Sequence, residues 1–472
     1  MRFLQTGLLG LLLFLSIAAQ PGKDPFTLNG RLGLSDKDEG IGIVQTISLG
    51  KGNRFLIVGK RQVQLWDIPS ARLVNSYFHK ITGVQHVGFL MSLLNIPNHM
   101  EVNSEGTRGI LVSKDPNAKL GENMVAAVWN LETGERLALL DRAAKPFRSA
   151  FFSENGATIM SLHGELKQAE LSFWDPATFE HRTSIKVQDL SFQQLSRDGE
   201  HVYIGSAKAN KWLGITVVGF ETSKGIELWN TRTGKLEKTY TDGDIKFWNP
   251  LNSSPVVSRD EKYMAARSEG NKIVVWETAG DGSPKYAIPA SDPKKKVRLV
   301  GISDDSRYLL TRTDEEAEVY ELTTGKLYRN FRLSGDSTFD LSPDSKYAIR
   351  RSQGSVGVYD LESEKYLYSL RLRVDTETRE NEPSYEYQVE GAQVSPDSKY
   401  IMVYGDRDVR IYDMITGEPV QSLVDPQRVK YKDNGKIKNN GLDNNRAGWL
   451  ASGNSIYVFG DDGRSFLLWN KK

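Results

Sequence analysis

Two stretches decide the fold: SPDSKYAIRRSQGSVGVYD at residues 342–360 and SPDSKYIMVYGDRDVRIYD at residues 395–413. Each opens on a Ser-Pro-Asp-Ser turn and enters an apolar strand. Each then turns at a short polar stretch and ends a second strand on Tyr-Asp. The later copy continues through Thr416-Gly417-Glu418 into a further strand. Short runs of Val, Ile and Tyr bounded by Gly, Asp and Ser favour β structure. Asp-Gly, Asn-Gly and Thr-Gly pairs suit the positive φ of tight hairpin turns.

Working outward, the same order recurs. Ser303-Asp304-Asp305 precedes Tyr320-Glu321 and Thr324-Gly325-Lys326, and Ser258-Arg259-Asp260 precedes Trp276-Glu277. Ser196-Arg197-Asp198-Gly199 precedes Trp229-Asn230 and Thr233-Gly234-Lys235, and Ser153-Glu154-Asn155-Gly156 precedes Trp174-Asp175. Ser104-Glu105-Gly106 precedes Trp129-Asn130 and Thr133-Gly134-Glu135. Trp66-Asp67 marks a first unit and Trp469-Asn470 a last, which makes nine units with aromatic marks 39 to 63 residues apart. A four-stranded antiparallel unit cannot bury both faces alone, and radial stacking of copies buries both.

In its strand-end Trp/Tyr-Asp/Asn, its Ser-Pro-Asp-Gly-like turn and its Thr-Gly turn, the chain resembles the WD40 repeat family over residues 42–472. The likeness is to divergent, bacterial-type or quinoprotein-like members. It implies an all-β fold: a single closed β-propeller of four-stranded antiparallel blades, with nine repeat units and hence eight or nine blades. The Gly-His dipeptide common in that family is absent, which implies that its internal Asp–His–Ser–Trp hydrogen-bond network is absent too. The last unit ends at Lys472 directly after the strand FLLWN, one strand short. Phe26 to Leu34 (FTLNGRLGL) has no other partner and is expected to supply that strand and close the ring.

The charge is balanced, with 61 Lys+Arg against 60 Asp+Glu. A dedicated nucleic-acid binder would carry a positive field, so none is expected as a partner. The absence of cysteine excludes disulfides, thiol nucleophiles and thiolate metal sites. Arg2, the apolar run Leu8 to Ile17, and small residues at Ser16 and Ala18 read as a signal peptide over residues 1–18. The alternative is an uncleaved anchor, although the run is shorter than the ~20 residues that span a membrane. Residues 19–41 then carry the ring-closing strand and 42–472 the propeller. The expected location is periplasmic or extracellular, with no membrane insertion after cleavage.

Non-repeated segments are where binding is expected. Residues 81–99 (ITGVQHVGFLMSLLNIPNH) are an apolar insertion, either an exposed docking element or, the favoured reading because exposed apolar patches are uncommon, an inner strand plus an extended hairpin. Residues 208–221 (KANKWLGITVVGFE) lengthen the hairpin of the fourth unit and carry Trp212 and Phe220, which are interface candidates. Packing of these aromatics on a neighbouring blade is an equal alternative. Lys294-Lys295-Lys296-x-Arg298 could meet a phosphate or an acidic partner but reads as a solvated loop. Residues 375–382 and 428–446 read as surface loops.

Six histidines occur, at 79, 86, 99, 163, 181 and 201, without a metal-binding spacing. No nucleophile elbow, phosphate loop or dinucleotide fingerprint stands in a suitable context. The sequence therefore assigns no catalytic, cofactor or metal residue. It points to a non-catalytic, monomeric interaction scaffold for a protein or peptide partner, with Trp212 and Phe220 as the candidate contacts. The alternative is a propeller enzyme or small-ligand binder, quinoprotein- or lactonase-like, whose ligands converge at the channel mouth from separate blades.

Overall fold

The computed structural model describes residues 25–33, 43–49, 54–59, 62–78, 100–114, 124–140, 147–165, 167–206, 208–212, 215–223, 225–242, 245–247, 255–268, 272–289, 297–334, 337–352, 354–371, 389–405, 409–423, 447–459 and 465–472. Residues 1–18, expected to be a signal peptide, residues 81–99, the lysines at 294–296, and residues 375–382 and 428–446 lie outside them.

Among the described residues there are nine antiparallel sheets and no helix. Eight sheets hold four strands and the remaining one holds seven, of which Val256–Val257, Tyr263–Ser268, Lys272–Glu277 and Tyr286–Ile288 make blade 5, and the sheets form the blades of a propeller. Blade 1 is Ile43–Leu49, Arg54–Gly59, Gln62–Asp67 and Arg72–Phe78. Blade 3 is Phe147–Phe152, Ile159–His163, Gln168–Trp174 and His181–Gln188. Blade 7 is Thr338–Leu341, Tyr347–Arg351, Val356–Asp360 and Tyr366–Leu370. Blade 9 is Ala447–Trp449, Ser455–Phe459 and Ser465–Lys471, completed by Phe26–Gly33 from the other end of the chain.

The core lies between blades. Buried apolar residues fall into nine clusters, and each joins two successive sheets. Leu171, Ile185 and Val187 of blade 3 pack on Val202 and Ile204 of blade 4. The last cluster sets Leu32, Phe466 and Leu468 of blade 9 against Phe55 and Ile57 of blade 1, so the ring closes. Alternation along each strand explains this arrangement, because odd and even side chains serve opposite neighbours.

The N-terminal strand behaves as an ordinary fourth strand. It pairs with Ser465–Lys471 from Phe26 opposite Lys471 to Gly33 opposite Ser465. Phe26 and Leu32 are buried. Fourth strands also tie blades by a recurring bond to a carbonyl shortly after the next blade's strand-end aromatic. Tyr240 donates to Thr278 (2.7 Å), Tyr286 to Leu322 (2.6 Å), and Asn75 to Glu132 (3.0 Å). Arg329 Nε does the same for Leu361 at 2.9 Å. Asn29 of the N-terminal strand donates to the Ile68 carbonyl of blade 1 at 3.0 Å, the same tie across the closure.

The repeated motif residues have structural tasks. In blades 4 to 8 the turn serine donates to the aspartate two residues on, at 2.6 to 2.7 Å in each of Ser196, Ser258, Ser303, Ser342 and Ser395. The same oxygens accept the amide that opens the second strand, as in Tyr400 to Ser395 at 3.0 Å. The fourth residue takes positive φ, and it is not always glycine: Glu261, Ser306, Ser345 and Ser398 have φ between 53° and 58°. The strand-end Asp or Asn accepts amides of the next turn, as Asn230 does from Arg232 and Thr233 and Asp413 from Ile415 and Thr416. Trp276 is fully buried between blades 4 and 5, Trp469 packs between blades 8 and 9, and half-buried Trp229 packs on the cluster between blades 3 and 4.

One expectation changes. Trp174 Nε1 donates to Ser161 Oγ at 2.7 Å, and that hydroxyl shares a 2.8 Å bond with His163 Nε2. A Trp–Ser–His network thus exists in blade 3, with the histidine on the second strand instead of in a Gly-His dipeptide. In blades 1, 4 and 6 the acceptor is the residue two before the aromatic. Gln64 takes Trp66 (3.1 Å), Glu227 takes Trp229 (2.8 Å) and Glu318 takes Tyr320 (2.9 Å).

Candidate interaction surfaces

Chain direction gives the ring two unlike faces. In blades 1 to 8 the connections between strands one and two and between strands three and four lie on one face, and blade 9, whose fourth strand is Phe26–Gly33, has only the first of them. These are the Ser-x-Asp and Thr-Gly turns, and they are short. The turns between strands two and three, and the connections between blades, lie on the other. The described strand ends that bracket residues 79–99, 115–123, 372–388 and 424–446 all belong to this second face, as does the insertion at 208–223.

That insertion is a hairpin of Lys208–Trp212 and Ile215–Ser223, with Trp212 opposite Ile215 at its tip. It leaves blade 4 but does not stand alone. Glu221 to Ser223 pair with Ile245–Phe247, and Ile245 pairs in turn with Ser268 of blade 5. The hairpin is therefore an outlying part of the blade 5 sheet, a connection that sequence reading did not find. It places Trp212 and Phe220 on its first and second strands.

First strands line the channel, and their ends make a recess of about 620 Å³ at the short-turn face of blades 3 to 6. Phe151, Phe152, Leu195, Val257 and Ile302 supply its apolar wall, and Gln193 and Gln194 its amides. Four residues that each follow a turn serine form the rim: Glu154, Arg197, Arg259 and Asp304. Arg197 is engaged on all sides. Its guanidinium meets Glu154 at 2.5 Å and the Arg259 carbonyl at 2.5 Å, and its amide donates to Glu261 at 2.6 Å. Burial pushes the Glu261 carboxyl upward, and the Arg197 amide opposes that shift.

A second recess of about 440 Å³ continues round the channel over blades 6 to 9, lined by Asp304, Asp340, Gln393, Val394 and Trp449 among others. Enclosure by the walls and the nearby charge of Asp304 push the Asp340 carboxyl upward. Asp340 keeps access to channel water, which tempers that push. On the first strand of blade 2, burial raises Glu101 to about 7.

Among the described residues no group of three or more His, Asp or Glu is placed to hold a metal ion. The described histidines have framework partners: His163 has Ser161, His181 has Ser184 at 2.9 Å, and His201 has Glu237 at 3.0 Å. His79, His86 and His99 lie outside the described residues. Sequence reading missed Gln193, Gln194, Arg259 and Asp304, because no local pattern marks residues that only the ring brings together.

No protein-family model matches this chain, and no curated protein is significantly similar to it in sequence. Solved structures do match. One described as the crystal structure of the eukaryotic initiation factor is 13% identical, with 82% of this chain and 89% of that chain covered and a TM-score of 0.57. The C-terminal WD40 domain of Sif2 is also 13% identical, with 95% and 99% covered and a TM-score of 0.47. At such identity the first of these likenesses is one of fold alone: the chain is a β-propeller.

Proposed function

We propose that the chain is an exported, monomeric, non-catalytic scaffold of divergent WD40-like type, and that it holds a protein partner through its insertion-bearing face. One observation supports this above the rest. The repeated polar groups of the short-turn face bond to one another, whereas the sequence that occurs only once leaves and re-enters the ring on the other face. Residues a fold does not need for itself are those free to answer to a partner. The 208–223 hairpin is the contact, with Trp212 and Phe220 as its anchors, since aromatic side chains often dominate interface energies.

The test replaces Trp212 and Phe220 together by Ser and compares proteins recovered by pull-down from the exported fraction. Lost partners with an unchanged melting curve support the reading. The same partners recovered would remove the hairpin from consideration. Intact-mass analysis of that fraction should show a chain beginning near Ala19. A membrane-bound chain still beginning at Met1 would end the claim of a cleaved signal.

A further inference from the structure

Four Asn-Gly pairs occur in the chain, and one of them, Asn29-Gly30, lies in the strand that closes the ring. Asn29 Nδ2 donates to two carbonyls of blade 1, Ile68 at 3.0 Å and Pro69 at 3.1 Å. Both bonds need an amide, because an ionised carboxylate has no proton to donate. Gly30 is required by packing on the same turn of blade 1: a Cβ there would stand 2.7 Å from the Cβ of Ala71. One contact thus fixes the asparagine and the next fixes the glycine.

The pair that results is chemically labile, since glycine has no Cβ to keep its amide nitrogen from the preceding side-chain carbonyl. The Gly30 nitrogen attacks Asn29 Cγ, a bond forms between them, and the Cγ–Nδ2 bond breaks. Nδ2 leaves as ammonia with the proton that the Gly30 amide gives up. Water then opens the cyclic imide at either carbonyl, leaving aspartate or isoaspartate. In the closed ring the two hydrogen bonds hold the Asn29 amide on blade 1, so its torsions are not free to bring Cγ to that nitrogen. Once the strand lifts, little else restrains it. Asn29 is exposed, and its strand is the outer edge of blade 9. It is also the extra residue of a β-bulge: Leu28 faces Trp469, Gly30 faces Leu468, and no ladder partner stands between. The other donors that tie one blade to the next lack this chemistry. Tyr240, Tyr286 and Arg329 carry no side-chain amide, and Asn75 is followed by Ser76, whose side chain hinders the attack.

We propose that Asn29 is a deamidation site that turns a transient opening of the ring into a permanent one. The latched strand is protected, the lifted strand reacts, and the product cannot latch again. An aspartate at 29 would set a negative charge against two carbonyl oxygens. An isoaspartate would add a backbone atom between the buried anchors Phe26 and Leu32. A chemical step that follows opening makes the opening irreversible. The device is independent of the partner-binding face.

The experiment incubates the full chain and the synthetic peptide FTLNGRLG at mildly alkaline pH and follows the one-dalton gain at each Asn-Gly pair by peptide mapping. Asn29 should deamidate at least tenfold more slowly in the folded chain than in the peptide. Leu32→Ala should raise the Asn29 rate in the chain severalfold, and so should urea below the unfolding transition of the wild type. The rate at Asn155-Gly156 should not follow, because the Gly156 amide is held by the Ser153 carbonyl at 2.9 Å. The deamidated fraction, separated by ion exchange, should melt several degrees lower than the unmodified one and stay so at neutral pH. Asn29→Asp should reproduce that shift, and Asn29→Ala, which loses the donor without gaining a charge, should give a smaller one. Equal rates in chain and peptide, no acceleration when the strand is loosened by either means, or a deamidated chain that melts with the wild type would each overturn the proposal.

Discussion

On the short-turn face Ser395 bonds Asp397, Asp397 accepts the Lys399 amide, and Lys471 reaches Asp397 from blade 9. Turns also bond across blades: the Asn155 side chain donates to the Asp198 carbonyl, and the Asp344 amide donates to Ser398. On the opposite face the connection after Leu423 runs on to Ala447, while the equivalent one after Arg332 reaches Thr338 in a few residues. One face repeats because each turn must satisfy its own backbone and its neighbour's. The other varies because any chain that spans the gap will serve. The same fold thus places strict sequence demands on one surface and weak ones on the other, and four perturbations should separate them.

The largest effect should come from removing the closing strand. Without Phe26–Gly33, Ser465–Lys471 becomes an open edge, Phe466 loses its cover, and the Asn29 tie to blade 1 is gone. An open apolar edge invites aggregation. The truncated chain should melt much lower and elute as aggregates in size exclusion. A melting curve that superimposes on that of the full chain would mean that closure rests on something other than this strand.

Next are the buried aromatics. Trp276 is fully buried, and truncating such a side chain to Ala typically costs about 3–5 kcal/mol. Trp229→Ala should cost less, because Trp229 is only partly buried and its indole already reaches Glu227 near the surface. Chemical denaturation of the two single mutants should rank them in that order. An equal loss would contradict the burial difference between the two positions.

Titration should divide the short-turn face from the channel, with opposite signs. Burial works against the charge of Asp198, Asp260, Asp305, Asp344 and Asp397. The turn-serine hydroxyl and turn amides outweigh it, and the net effect holds all five below the usual carboxylate range. Asp175 is lowered to about 2, first by the Thr178 amide and then by Arg182. A depressed folded pKa contributes stability that is present above the unfolded value of about 3.9 and lost as pH falls through the folded value. Stability should therefore decline steeply between about pH 4 and pH 2. Glu101 is shifted the other way, to about 7 by burial. Its ionisation penalises the fold as pH rises from the unfolded range towards 7, so Glu101→Gln should raise the melting temperature at pH 8 and leave it unchanged at pH 4. A variant that melts like the wild type at pH 8 would show that Glu101 is well hydrated.

How far these features were legible in the sequence follows from how local they are. The Ser-x-Asp turn, the strand-end Trp/Tyr-Asp/Asn and the closing strand each rest on neighbours within a few residues or on a missing partner, and each is found where expected. Arg329 doing the work of Tyr286 was not legible, because a carbonyl on the next blade accepts from any suitably long donor. Phe179 and Glu364 hold positive φ, 61° and 59°, at the position Gly234 and Gly417 occupy elsewhere, so the glycine signal is absent there although the turn is not. Blade 3 keeps its Trp–Ser–His network by moving the histidine to another strand, which defeats a search for the Gly-His dipeptide. The recess was invisible for a stronger reason. Gln193, Arg259 and Asp304 come from three blades and acquire a common environment only when the ring forms. For the hairpin, its two strands could be read but its attachment through Ile245 to blade 5 could not.

The smallest effect on stability should come from the insertion-bearing face. Residues 428–446 can be replaced by six Gly and Ser residues, leaving Leu423 and Ala447 in place. The connection from outer strand to next inner strand must cross a blade, three strand spacings of about 4.8 Å, and six extended residues can span roughly 20 Å. The connection between Arg332 and Thr338 already makes the corresponding crossing with a short chain. Loop entropy then favours the shorter link, by about 1 kcal/mol on the logarithmic dependence of closure cost on length. The melting temperature should stay level or rise slightly, the reverse of what removing a packed element would do. Partner recovery gives the second reading of the same variant. Unchanged stability with partners lost would add this segment to the binding face, and unchanged stability with partners kept would confine binding to the hairpin. A fall of several degrees would show that residues 428–446 pack on the ring, and that the two faces differ less in their demands on sequence than the strand geometry implies.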